Sequence, residues 1–310
     1  MFNHAIIVLE SDESPPIDAL SEFLASTCRR VTLASVEEKG SDPDQREQSV
    51  RGLVARCRRR RLHVGVARLN GHPGTALQTI EARSGGDLII FPADGDSDRT
   101  RWRMTRTRRL ALQRSRAPLW FWTEAFGAPP RIAALADPDD TDHTRQGLNI
   151  AAIHAASRLA AASQGPLSVI NSCLPFGTKT AAESPFLRVS PATLERECAA
   201  LAEQRRLALF NLLRLSGLGW DASDIRVIMG DTVADLPEIV ERDYDLVVMG
   251  CCGRSHLRAL LRPNTAERLL PRLSRSVLVL KTPLQLPIDD RTSLRDPLTD
   301  ATVERERAAI

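Results

Sequence analysis

Gly250, Gly253, Pro263 and Asn264 fall in one short stretch between an apolar run and the start of a helix. Glycines at a sharp exit from a strand let the backbone approach a bound group closely. Successive N–H groups in such a loop can cradle phosphate. Proline at 263 has no N–H and a fixed φ, so any such cradle loses one donor. Asn264 keeps its N–H and adds a side-chain amide, and Arg254, Arg258 and Arg262 bring charge that offsets the loss. The plainer alternative is that the glycines shape a turn and Asn264 caps a helix.

Other candidates are weaker. Glu10, Asp12, Asp94, Asp96 and Asp98 could gather at one end of the first half, but they lack a fixed ligand spacing and read as a solvated acidic loop. Arginines crowd the segment from Arg99 to Arg116, with Trp102 among them. That is a nucleic-acid signal confined to one helix, and a solvated face is the simpler account. Cys251, Cys252 and His256 lack the second ligand pair of a structural zinc site, although exposed thiols there would be redox-sensitive. The six histidines stand in no nucleophile–base context, so catalysis is not indicated.

These residues need elements to hold them. Leu246 to Met249 is an unbroken apolar run, the pattern of a strand buried on both faces. Asn264 and Glu267 bracket a helix start, with Ala266, Leu269, Leu270 and Leu273 on one face. Ser276 to Leu280 is another apolar strand, which completes a crossover unit. Upstream, apolar runs at 4–9, 31–36, 62–67, 88–91 and 118–122 alternate with helical patterns. After Ala128-Pro129-Pro130 the series starts again, at 132–136, 167–170, 225–229, 246–249 and 276–280. Thr232 is placed as the cap of the helix through Leu236, Ile239 and Val240.

Asp87-Leu88-Ile89-Ile90 aligns with Asp245-Leu246-Val247-Val248, which marks an internal repeat. The fold class expected is α/β: two tandem doubly wound parallel five-stranded sheets over 1–126 and 131–284, then a tail over 285–310. The fifth strands, Leu119–Trp122 and Val277–Leu280, are edges that must be covered, and they are predicted to face each other. A Pro/Gly/Ser/Thr-rich loop from Ser172 to Pro191 would rise over the second sheet as a lid. In each half the ligand crevice should lie outside the carboxyl ends of strands 1 and 4. In the second half those ends are Asp137 and Gly250.

The loop at 250–264 resembles the C-terminal signature of the universal stress protein family: glycine, two residues, glycine, nine residues, then glycine with Ser or Thr. Gly250 and Gly253 match, whereas Pro263 and Asn264 replace the last pair. Asn264-Thr265-Ala266-Glu267 is similar to the tandem-domain, E-type branch. The resemblance implies a non-enzymatic stress-response role. It also implies a crevice lined by Asp137, Gly250, Gly253, Arg254, Pro263 and Asn264, with Val169 and Ile170 flanking a base, and it makes ATP the cofactor to test. In the first half the loop is acidic instead of glycine-rich and repels phosphate.

Composition adds limits. The 310 residues are 43% apolar and 26% charged, as in a globular protein of two domains. The net charge of +3 argues for no partner alone. Lys39, Lys179 and Lys281 are the only lysines among 42 basic residues, an arginine bias that codon usage explains as well as function does. No basic leader and no membrane-length apolar run stand out, and the six cysteines show no disulfide framework, so a cytoplasmic location is expected. Self-association of the tandem domains, a homodimer and a small-molecule ligand are the partners in view; nucleic acid is disfavoured and no membrane partner is expected.

Overall fold

In the computed structural model the described residues are 2–10, 20–21, 24–25, 28–36, 43–69, 73–93, 101–123, 129–138, 143–175, 190–218, 223–251 and 265–281. Ten strands form one sheet: β1 (His4–Leu9), β2 (Arg30–Val36), β3 (His63–Leu69), β4 (Leu88–Pro92), β5 (Leu119–Trp122), β6 (Ile132–Leu135), β7 (Leu167–Cys173), β8 (Ser223–Met229), β9 (Leu246–Gly250) and β10 (Ser276–Leu280). The helices are α1 (Pro43–Arg59), α2 (Pro73–Ser84), α3 (Arg106–Arg114), α4 (His143–Ser163), α5 (Pro191–Leu215), α6 (Leu236–Asp243) and α7 (Thr265–Leu269).

The strand order is β3-β2-β1-β4-β5-β10-β9-β6-β7-β8. Each half has the order 3-2-1-4-5, and every pairing within a half is parallel. Only β5 and β10 run antiparallel, with Leu278 opposite Trp120. The two five-stranded sheets therefore merge through the fifth strands, as the edge rule demands. Leu119–Trp122 and Ser276–Leu280 are buried along their whole length, so this seam belongs to the core.

Two apolar layers cover the sheet. One packs Ile7, Leu33, Leu53, Ala134, Val169, Leu209 and Val248 beneath α1, α4 and α5. The other packs Ile6, Phe91, Leu112, Ile170, Val240, Leu269 and Val279 beneath α2, α3, α6 and α7. Alternate residues of each strand feed opposite layers, the period that a sheet covered on both faces requires.

Local signals set the helix ends. Ser190 caps α5, accepting the Thr193 N–H, with Pro191 at the first position where its missing N–H is harmless. At α6 the expected cap differs. Thr232 donates to the Ser172 carbonyl, and it is Asp231 that accepts the N–H groups of Val233 and Ala234 in the turn before the helix. Asp231 and Thr232 are neighbours, and only the carboxylate side chain folds back on the turn.

Candidate functional site

The two places where strand order reverses are built from equivalent residues. Ala5 pairs with Leu88 across β1 and β4, and Ile132 pairs with Leu246 across β6 and β9. Five residues on from Ala5 and Ile132 stand Glu10 and Asp137; four residues on from Leu88 and Leu246 stand Pro92 and Gly250. Each crevice thus presents one carboxylate at the end of its first strand.

In the first crevice that carboxylate is occupied. Arg108 Nε lies 2.7 Å from Glu10 Oε2, with both side chains almost fully buried, at 2% and 6% exposure. The guanidinium also donates to the Arg103 carbonyl at 2.9 Å and the Pro92 carbonyl at 3.4 Å. It sits 5.9 Å from the Phe91 ring centre and 5.5 Å from that of Trp102. Thr105 caps α3 through the Arg108 N–H and gives its own hydroxyl hydrogen to Glu10 at 2.5 Å. The first turn of a helix attracts an anion. Here the chain's own carboxylate takes that place, and its charge is matched by Arg108.

Among the described residues Glu10 therefore pairs with Arg108 and joins no acidic cluster; Asp12, Asp94, Asp96 and Asp98 lie outside the described residues. Among the described residues no group of three or more His, Cys, Asp or Glu could hold a metal ion. The Arg99–Arg116 segment is also corrected. Among its described residues, 101–116, only Arg106–Arg114 is helical, and Thr107 and Arg108 face the core.

The second crevice is open by comparison. The Asp137 side chain is 66% exposed and meets Arg205 Nη1, from α5, at 3.4 Å. Its backbone is clamped by Asn149 of α4, whose amide accepts the Asp137 N–H at 3.2 Å and donates to the Asp137 carbonyl at 2.7 Å. Asn171 donates to the Ala136 carbonyl at 3.0 Å, and Ser172 to that of Gly230 at 2.9 Å. Sequence reasoning passed over Asn149, although it lies on the buried stripe of Ala152, Ile153 and Ala156. A polar residue on such a stripe is a signal.

At Gly250 a Cβ would come 3.0 Å from Leu148 Cβ and 3.5 Å from the Leu148 carbonyl. Close packing of β9 on α4 thus accounts for glycine there without any ligand. Val169 and Ile170 are corrected from base-flanking residues to core. They are 0% and 1% exposed, and β7 runs on to Cys173, so they lie mid-strand. Cys251 is buried, its N–H donated to the Leu280 carbonyl at 2.7 Å, and Lys281 Nζ lies 3.7 Å from its sulfur. Gly253, Arg254, Pro263 and Asn264, with Cys252, His256 and most of the Ser172–Pro191 loop, lie outside the described residues. Two cavities lie away from both crevices. One of about 460 Å³ is at the amino ends of β1 to β3, and one of about 940 Å³ lies between Arg101 and the α6 face bearing Glu238, Glu241 and Arg242.

Two doubly wound halves joined edge to edge, with a carboxylate at each switch point, define a tandem α/β protein of the Rossmann-like class. Residues 141–281 match the model of the universal stress protein family. The second half is thus a universal stress protein domain, and the first half repeats its fold. A protein from Pseudomonas aeruginosa UCBPP-PA14 assigned to the universal stress proteins superposes with a TM-score of 0.64 at 20% identity, covering 91% of this chain and 94% of that one. A universal stress protein from Archaeoglobus fulgidus DSM 4304 gives 0.58 at 15% identity, with 89% and 98% covered. The cytoplasmic domain of a prokaryotic cation chloride cotransporter gives 0.50 at 12% identity, with 92% and 98% covered. No curated protein matches the sequence. No helix among the described residues is long and apolar enough to cross a membrane.

Proposed function

We propose that this chain is a non-enzymatic, ligand-binding stress-response protein whose second domain carries the site. One observation supports this above others: of two equivalent carboxylates, Glu10 is buried against Arg108 while Asp137 stands mostly in solvent. A binding group must be reachable, and only the second qualifies. Asn149 holds the Asp137 backbone in place, so the carboxylate is presented from a fixed point.

Within this reading a small molecule with hydroxyl donors would meet Asp137, and its remaining part would lie towards Gly250 and the segment after it. ATP regulation is the narrower version. Arg254 and Asn264 would then carry the phosphates, with Pro263 one donor short. The inward aim of Arg108 weakens the version in which the Arg99–Arg116 segment binds nucleic acid. A cytoplasmic location and self-association fit the same role.

Titration with magnesium and ATP tests the narrower version on the wild type, Asp137→Ala and Pro263→Gly. Restoring the N–H at 263 should strengthen ATP binding by up to about tenfold, the worth of one net hydrogen bond. Asp137→Ala should weaken it by a similar factor of roughly ten. Failure of both wild type and Pro263→Gly to bind ATP would set the nucleotide version aside. A ligand that binds Asp137→Ala as tightly as wild type would remove the site from this crevice.

A further inference from the structure

At the opposite edge of the first half, arginines converge from two elements. Arg58 and Arg59 end α1, Arg61 follows it, and Arg29 and Arg30 lead into β2; all five are exposed. The elements are stitched together there, the His63 N–H donating to the Arg29 carbonyl at 3.2 Å and His63 lying beside Arg30 in register. Among the described residues, none of these five arginines pairs with a carboxylate. Arg30, Arg58, His4, His63 and Thr32 line the cavity of about 460 Å³, and no carboxylate and no Phe, Tyr or Trp lines it with them.

The local backbone makes the charge harder to explain as decoration. The Arg61 N–H donates to the Arg58 carbonyl and the Leu62 N–H to the Cys57 carbonyl, the two bonds of a Schellman motif. Its left-handed position, with φ 62°, is usually glycine, yet arginine stands there. A helix C-terminus favours cations in its last turn, which accounts for Arg58 and Arg59. That field does not account for Arg61 beyond the turn, or for Arg29 and Arg30 on another element. Mutual repulsion and a strained arginine both oppose folding, and an anion bridging them would offset both.

We infer that this edge is a second binding site, separate from the crevice of the second domain, for a ligand with several phosphates in series. Arg30, Arg58 and Thr32 would seat one phosphate in the cavity, and Arg59, Arg61 and Arg29 would follow the chain across its rim. The lining holds no Phe, Tyr or Trp, and the buried His4 ring is engaged by Thr32 and the Ser84 carbonyl. That leaves the His63 imidazole alone to meet a base, so recognition rests chiefly on phosphate charge.

The test uses the full chain with sodium tripolyphosphate and, separately, inorganic phosphate, by calorimetry at low and high salt. Tripolyphosphate should bind the tighter of the two, and its affinity should fall as salt rises. Arg30→Ala with Arg58→Ala should weaken it by at least about tenfold through loss of two charge-assisted contacts. Arg61→Gly separates binding from structure. It should raise the melting temperature, because glycine suits the left-handed position, and it should still weaken tripolyphosphate by roughly threefold. Equal binding of the two anions, unchanged affinity in the double variant, or unchanged affinity in a stabilised Arg61→Gly would each overturn the site. ATP can meet both sites, but the part of its binding that Asp137→Ala removes should be unaffected by all three substitutions, so the two sites stand or fall separately.

Discussion

Glu10 and Asp137 end equivalent strands and carry the same charge, yet they have opposite fates. Glu10 is buried against Arg108 and Thr105, and Arg108 in turn lies over two aromatic rings. At the corresponding point of the second half, the helix after β9 offers Ala266 and Leu269 to the core and no buried cation. One inward arginine thus separates a structural joint from a crevice. Trp102 extends that joint across the seam, its backbone N–H donating to the Leu273 carbonyl at 3.0 Å and its indole to that of Arg275 at 2.9 Å. The first crevice has been absorbed into the interface between halves.

The largest effect should come from breaking the joint. Arg108→Ala leaves Glu10 buried without its counter-charge and should cost about 3–5 kcal/mol in urea unfolding. That is a large share of the roughly 5–15 kcal/mol by which folded domains are held. Replacing both partners by apolar residues, Glu10→Leu with Arg108→Met, should recover most of the loss, since a buried pair is often no better than a packed apolar one. Arg205→Ala, which breaks the corresponding pair with the exposed Asp137, should change stability by only about 0–1 kcal/mol. Equal effects of Arg108→Ala and Arg205→Ala would erase the distinction between the crevices.

Gly250 offers a smaller lever on the second crevice. An added methyl group would meet Leu148 Cβ at 3.0 Å, so Leu148 must give way by a few tenths of an ångström. Gly250→Ala should cost about 1–2 kcal/mol through overpacking. It should also reduce ligand binding, because Leu148 adjoins Asn149, the clamp on Asp137. A variant of unchanged stability would mean that β9 and α4 pack less closely than the 3.0 Å contact shows.

Much of this was legible in the sequence. Apolar runs of four to six residues marked strands buried on both faces, and the rule that edges must be covered brought Leu119–Trp122 against Val277–Leu280. The Glu10–Arg108 pair was not found, because the two lie far apart in sequence and Glu10 has acidic neighbours that suggested a loop. A trace was present. Arg108 stands on the stripe of Ala111 and Leu112, where an exposed arginine has no place. Val169 and Ile170 were assigned to a ligand because their strand was read as ending early; Asn171 to Cys173 extend it with polar side chains that break the apolar pattern.

The smallest expected effect concerns the helix behind the second crevice. Burial pushes the His154 imidazole below its usual pKa, and Arg158 one turn on adds repulsion. The unfolded chain therefore holds more proton there between the folded value and about 6.5. The sign follows: this contribution to stability is complete above about pH 6.5 and is lost as pH falls towards the folded value. Because α4 carries both Leu148 and Asn149, the loss should loosen the wall of the second crevice while leaving the Glu10–Arg108 joint untouched. Hydrogen exchange at about pH 7.5 and about pH 5.5 should show α4 opening more at the lower value, with α3 unchanged. His154→Asn should remove the difference. If α3 opens as much as α4, the two halves respond as one unit, and the asymmetry between the crevices is confined to the side chains that fill them.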